Sequence, residues 1–341
     1  MVRLPALVMV LFALLSCGPT REEFLARGPV ISTYGLSFHA ESALEGSNLP
    51  KARRPSVLAF SGGGPDGAFG AGVMLGRAEA GDASDEDIVT GVSIGAFIAA
   101  FTFTGDEELL MPIFAQGGLT ELDQHSNPAR AVLVGSLSDG SAYARIVHET
   151  VTDEIVARVA AEHYKGRRLF VATTDLDSMR MVVWDMGAIA SAPGGSVLLR
   201  QILLASASVP GAYPPVRVNV DGRTSLLVDG GVTRQIYIPH LPSYRQPASI
   251  FLVFNNSLAA DPPLDRITVL STAQRGLSTL IRGQSRDQVA LAQLTAERVG
   301  ADFTVVSIPP EAPAARVQDF SAAAMARTFA LGRSIGRSLA Q

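Results

Sequence analysis

The 341-residue chain has one cysteine, Cys17. No intramolecular disulfide can form, and no cysteine-based metal site can be built. Basic runs are also missing: the densest, residues 51–54, holds three cations and reads as a polar linker. With a formal net charge of −4 and no basic patch, the composition disfavours nucleic acid as a partner. Charged residues make up only 18% and apolar ones 47%, which excludes general disorder and supplies a full core. No repeat of fixed period and no break in composition divides the chain, so its length is read as one large domain.

A nearly unbroken apolar stretch, residues 4–15, follows Arg3. It has the length of a secretory h-region and is too short to span a bilayer. It ends Leu14-Leu15-Ser16-Cys17-Gly18, which resembles the lipobox of bacterial lipoproteins. The resemblance implies a signal peptide over residues 1–16 and lipidation of Cys17, with acyl chains such as palmitate tethering the protein to a membrane. Gly18, in place of an acidic retention signal, implies the outer membrane. The alternative is an ordinary cleaved signal with an incidental cysteine. Residues 17–54 show no sustained period and read as lipidated tether and linker with a small peripheral element.

The organised domain is expected over residues 55–341. Residues 56–60 form a short apolar run leading into Ser61-Gly62-Gly63-Gly64, a buried strand ending in a glycine turn, and residues 68–80 are helical in composition. The pattern recurs at residues 88–92 (strand) and 96–103 (buried helix). Further strands are read at 169–174, 180–184, 225–228, 250–254 and 303–306, and helices at 196–206 and 264–299. Strands alternating with helices predict an α/β fold, a three-layer α/β/α domain around a mostly parallel sheet.

Three segments just after predicted strands carry the chemistry. In open α/β sheets such loops converge at the carboxyl ends of the strands. Gly91-Val92-Ser93-Ile94-Gly95 lies between strand and helix, where a sharp turn can project a serine Oγ and the helix N-terminus faces it. The alternative is a serine that merely caps the helix. Ser61-Gly62-Gly63-Gly64-Pro65-Asp66-Gly67 offers bare backbone N–H groups to a developing oxyanion. It lacks the G-K-[ST] ending of a phosphate loop, so a nucleotide site is disfavoured. Asp229-Gly230-Gly231 puts a carboxylate at a strand end, where it can act as a base.

The ordered set G-G-G-x-x-G, G-x-S-x-G and D-G-G resembles the patatin-like phospholipases, over roughly residues 55–235. Two supporting stretches, Ala172-Thr173-Thr174-Asp175-Leu176-Asp177 and residues 205–215, share the likeness. The resemblance implies a lipid acyl hydrolase of phospholipase A or lysophospholipase type, using a Ser–Asp dyad and no metal or organic cofactor. Ser93 would be the nucleophile and Asp229 its partner. Amides of Gly62, Gly63 and Gly64 would form the oxyanion hole, with Gly67, Gly91, Gly95, Gly230 and Gly231 as motif glycines. The substrate partner would be a membrane lipid.

Two positions depart from the family pattern: Ser61 stands where Asp is usual, and Asp66 where Arg or Lys is usual. Asp66, if it faced the site, would raise the proton affinity of Asp229. Histidines 39, 125, 148, 163 and 240 lie in no catalytic-looking motif; His240 alone is close enough in sequence to Asp229 to suggest a triad, and the dyad is preferred. Asp175 and Asp177 read as local turn caps rather than metal ligands. Arg275, Arg282, Arg286 and Arg298 read as a solvated helix face, with lipid head groups as the other possibility. Residues 190–195 read as either a mobile loop or a plain connection. The rival functions are a peptidase or thioesterase using the same turn, and an envelope-anchored lipid-binding protein with little turnover. The sequence carries no signal for oligomeric state or for the lipid class cleaved.

Overall fold

The computed structural model describes residues 20–26, 31–33, 36–40, 54–82, 85–120, 122, 136, 138–220, 222–240, 249–259, 263–264, 266–312 and 320–339. The apolar leader and Cys17 lie outside the described residues. Among the described residues, no helix is long and apolar enough to cross a membrane.

A central sheet of ten strands organises the chain. In chain order these are β1 (Ile31–Thr33), β2 (Ser37–His39), β3 (Ser56–Phe60), β4 (Ile88–Val92), β5 (Arg168–Asp175), β6 (Arg180–Asp185), β7 (Val216–Val220), β8 (Arg223–Asp229), β9 (Ser249–Phe254) and β10 (Asp302–Ser307). The path runs β1-β7-β8-β5-β4-β3-β9-β10, and β6 joins β2 to β5. The stretch from β5 to β10 is wholly parallel, as expected for crossovers through helices, whereas β5–β6, β5–β8, β7–β8 and β2–β6 are antiparallel. The sheet is therefore mostly parallel, with an antiparallel margin. Strands β1 and β2 fall within residues 17–54, read from sequence as tether, linker and a small peripheral element, and they pair with β7 and β6. Three-residue strands are too short to show a period.

Among the described residues the helices are α1 (Arg21–Leu25), α2 (Gly67–Glu79), α3 (Ile94–Thr104), α4 (Leu110–Phe114), α5 (Ser141–Thr150), α6 (Asp153–Tyr164), α7 (Met186–Ala190), α8 (Gly195–Ser206), α9 (Val269–Val299) and α10 (Ala322–Leu339). Alternation along the strands splits them between two layers. Leu58, Phe60, Val89, Leu169 and Val171 pack into the larger core with α2 to α8 and α10. Val57, Ala59, Ile88, Phe170 and Ala172 face the opposite side, covered by α9 and by Ile236 to Ile238. This is the three-layer α/β/α architecture predicted, with a thinner second helical layer.

The C-terminal helix is held by glycines. Built on Gly332 or Gly336 of α10, a Cβ would run into the backbone carbonyl oxygen of Phe69 or Val73 of α2; on Gly72 or Gly76 it would meet those of Phe329 or Arg333. Two G-x-x-x-G faces thus bring the backbones of α2 and α10 into direct contact, and a methyl group has no room to enter. Gly332→Ala is expected to destabilise the fold by about 2 kcal/mol. The lower urea midpoint would be read from the fluorescence of Trp184, the only tryptophan and fully buried.

Candidate active site

One edge of β5 is shared end to end by two strands. β4 runs parallel to it as far as Val92, which stands opposite Ala172. β8 runs antiparallel along the remainder, and its last residue, Asp229, stands opposite Thr173. The two strands therefore meet head-on, and their tips carry Ser93 and Asp229. At that junction Ser93 Oγ donates a hydrogen bond to Asp229 Oδ2 at 2.6 Å.

The ladder groups interrupted at the junction are satisfied by α8. The Ser206 hydroxyl donates to the Ala172 carbonyl at 2.7 Å and accepts from the Ser93 N–H at 2.9 Å. Just beyond, the Ser208 carbonyl accepts from the Asp229 N–H at 3.0 Å. Ser206 is a positioning residue that sequence reasoning passed over, although it lies in the 205–215 stretch. Ser206→Ala would leave a buried acceptor and a buried donor unpaired, costing about 2 kcal/mol. Its expected kinetic mark is a kcat about tenfold lower at nearly unchanged KM, because the turn is loosened while the substrate surface stays intact.

Ser93 itself sits at φ 56 and ψ −130, one of two non-glycine residues with positive φ among the described residues. Such backbone is costly and persists only where neighbours hold it. The neighbours here are close: a Cβ on Gly95 would lie 2.8 Å from the Phe60 carbonyl oxygen, and one on Gly91 2.6 Å from Ala96 N. Gly91 and Gly95 thus let β4, α3 and the end of β3 converge under the serine.

Asp229 is 4% exposed and Ser93 8%. Burial pushes the Asp229 carboxyl up to about 6, against the opposing pull of its hydrogen bonds from Ser93 and from the Gly231 N–H. The latter bond is 2.7 Å, to Oδ1, so each carboxylate oxygen has one donor. The sequence had suggested Asp66 as the cause of such a shift. Burial is sufficient instead. Asp66 is itself buried, in the tight turn Gly64–Asp66 at the start of α2.

The glycine loop lies against the serine: a Cβ on Gly62 would stand 3.3 Å from Ser93 Cβ. Its amide, however, donates to the Gln235 carbonyl at 3.0 Å, so Gly62 is occupied within the fold rather than offered to a ligand. Gly63 and Gly64 follow, Gly64 with φ 57, and Gly67 opens α2 against the side chain of Ile94. Ser61 takes over the anchoring of the loop: its hydroxyl donates to the Gly62 carbonyl and accepts from the Asn255 N–H, each at 2.8 Å. The Asn255 side chain bonds the Ser61 carbonyl and, at 3.0 Å, the Gly70 N–H. An ionised aspartate at position 61 could accept but not donate. Asn255 follows β9 directly, and its position at a strand end was the available signal.

Gly230 and Gly231 form the turn Gly230–Val232, with Gly230 packed on the Ala172 carbonyl. Gln235 Nε2 donates to the Gly231 carbonyl at 3.0 Å, and helix α9 secures the same loop through Gln284 and Gln288.

Other candidates fall away from this centre. His148 and His240 are exposed, and His163 lies 3.6 Å from Asp185, on α6. His39 sits in β2, and His125 is outside the described residues. Asp175 caps its own turn through the Asp177 N–H and the Ser178 hydroxyl, while Asp177 pairs with Arg21. Residues 190–195 are a hydrogen-bonded connection between α7 and α8. Among the described residues no group of three or more potential ligands gathers in a metal-binding arrangement.

The family model for patatin-like phospholipase matches residues 58–239, just over half of the chain and the whole of the region that builds this junction. The chain belongs to the patatin-like phospholipase family. Among solved structures this patatin-like chain is similar to VipD from Legionella pneumophila, at 14% identity and a TM-score of 0.43, covering 85% of this chain and 67% of VipD. It is also similar to ExoU of Pseudomonas aeruginosa, solved with SpcU, at 18% identity and a TM-score of 0.28, covering 74% of this chain and 52% of that one. It thus spans about half the length of the ExoU structure. No curated protein matches it in sequence. Family membership makes lipid ester hydrolysis the coarse activity of the domain.

Proposed function

We propose that Ser93 and Asp229 are the catalytic dyad of a lipid acyl hydrolase that cleaves carboxylic esters through an acyl-enzyme. One observation carries the reading: the 2.6 Å bond from Ser93 Oγ to the buried carboxylate, formed on a positive-φ turn at the head of α3. Asp229 accepts the serine proton as Oγ attacks the acyl carbonyl, and returns it to the leaving oxygen. Water, deprotonated by the same carboxylate, then releases the fatty acid. The oxyanion is received by the amides of Gly63 and Gly64, with Ile94 N–H at the α3 N-terminus as a further donor. No metal or organic cofactor enters any step.

The N-terminal reading belongs to the same proposal. Lipidated Cys17 would tether the domain to the cell envelope, in the outer membrane, and keep it at its substrate.

The test is fatty-acid release from phospholipid and lysophospholipid vesicles, set beside peptide and acyl-thioester substrates. Ester hydrolysis that increases with acyl-chain length supports the proposal. Turnover of peptides or thioesters alone would replace it with one of the rival hydrolases. Lipid binding without release of product would make the protein a lipid-binding module.

A further inference from the structure

Helix α5 buries one face, made of Ala142, Tyr143, Ile146 and Val147, two neighbouring pairs one turn apart. Only Tyr143 brings a polar side-chain atom into that face. The residue is 5% exposed, and its hydroxyl is closed to solvent with no hydrogen-bond partner among the described residues. Phenylalanine would fill the same space without a buried donor. A buried tyrosine whose hydroxyl bonds nothing in its own fold points to a bond made with something else.

That hydroxyl lies on the Asp229 side of the junction. The chain entering α5 is fixed to the stretch that follows α8. There the Ser138 N–H donates to the Ala212 carbonyl at 2.9 Å, and the rings of Tyr143 and Tyr213 lie 6.3 Å apart. The same stretch begins with Ser206, bonded to Ser93, and Ser208, whose carbonyl accepts from the Asp229 N–H. It ends where β7 starts, with Val216 opposite Leu227 of β8.

Burial pushes the Tyr143 phenol above its ordinary value, and Tyr213 and the Asp229 carboxylate add to the rise. The hydroxyl thus feels the Asp229 charge and keeps its proton as a neutral donor. The two groups are not bonded to each other, since Asp229 takes its hydrogen bonds from Ser93 and Gly231. Ser93 and Asp229 are themselves 8% and 4% exposed, so an ester that reaches them must open this side of the junction.

Chemistry identifies the atom that comes between. The glycine loop follows β3, beside β4 on the Ser93 side, and in the dyad mechanism its amides receive the carbonyl oxygen. The alkoxy oxygen of the ester then points the other way, toward Asp229, which returns the proton to it. Negative charge grows on that oxygen as the C–O bond breaks, and a fixed neutral donor beside it lowers the barrier. We infer that the Tyr143 hydroxyl donates a hydrogen bond to the leaving alkoxy oxygen of the lipid ester, a catalytic role in expelling the alcohol. Tyr143 gives up no proton in this step. Ser93 Oγ bonds the acyl carbon, the carbon–alkoxy bond breaks, and the serine proton passes through Asp229 to the alcohol. The inference rests on the dyad reading of Ser93 and Asp229.

Octanoate esters of p-nitrophenol, p-methoxyphenol and glycerol test it, because they share one acyl chain and differ in how readily the alcohol leaves. Tyr143→Phe should be close to wild type in kcat/KM on the nitrophenyl ester. The deficit should grow as the alcohol becomes less acidic, to about 10²-fold on the glyceryl ester. Its urea midpoint, read from Trp184 fluorescence, should be no lower than that of wild type, because the hydroxyl has no partner in the fold to lose. An equal loss on all three esters, no loss on any, or a lower midpoint would overturn the inference. Wild type inactive on every ester would overturn the dyad reading, and this inference with it.

Discussion

Ser93→Ala is expected to lower kcat/KM on lipid esters by about 10⁴-fold or more. The size follows from the lack of a substitute. The serine hydroxyls around the junction are already committed: Ser206 between Ala172 and Ser93, Ser61 between Gly62 and Asn255, and Ser208 to the Leu204 carbonyl. Alanine keeps the backbone bond from position 93 to Ser206, so the fold should persist and far-UV circular dichroism should be unchanged. Near-wild-type hydrolysis by the alanine variant would place the nucleophile elsewhere.

Asp229→Asn should cost about 10³- to 10⁴-fold in kcat, since an amide can accept the serine hydrogen bond but cannot take the proton. The same group sets the pH profile. With its carboxyl pushed up to about 6, the wild-type rate should rise through that pH and level off above it. Stability moves the opposite way. The folded state holds this proton more tightly than the unfolded chain, whose carboxyl has the ordinary value of 3.8. The stabilising contribution is therefore full below pH 4 and is lost as pH rises through about 6.

Raising the carboxyl from 3.8 to about 6 corresponds to roughly 3 kcal/mol, so ionising Asp229 strains the native state by an amount of that order. Asp229→Asn escapes that strain. Its melting temperature relative to wild type should climb between pH 4 and 6.5 and then hold steady. An inactive variant that is also more stable at neutral pH is the signature of a carboxylate kept buried for chemistry. A gap that is flat across this range would show that Asp229 is not a buried group of raised proton affinity.

Much of this centre was legible in the sequence because three apolar strands end in three glycine-marked turns. Residues 56–60, 88–92 and 225–228 are short apolar runs closed by glycine turns, the pattern of a buried strand, and each delivers its functional residues at a strand end. The head-on meeting of β4 and β8 along β5 could not be read, since composition does not fix register between strands 50 or more residues apart. Ser206 therefore looked like an ordinary helix residue. Its role exists only where Ala172 loses its ladder partner.

Gly62 shows the converse. The sequence advertises a bare amide, but only the fold shows Gln235 accepting from it. Strand β7 was legible and overlooked: Val216, Val218 and Val220 alternate with Arg217 and Asn219, a period of two. Helix α10 was missed because the signal lies in Gly332 and Gly336, which usually disfavour a helix and here permit its contact with α2.

The most direct test of the central claim is the mass of the protein after exposure to a fluorophosphonate that forms a stable adduct with activated serines. The full chain should gain one adduct, mapped by peptide sequencing to Ser93, with labelling slowed in Asp229→Asn and absent in Ser93→Ala. An unlabelled wild type, or an adduct on any other residue that survives Ser93→Ala, would contradict the account.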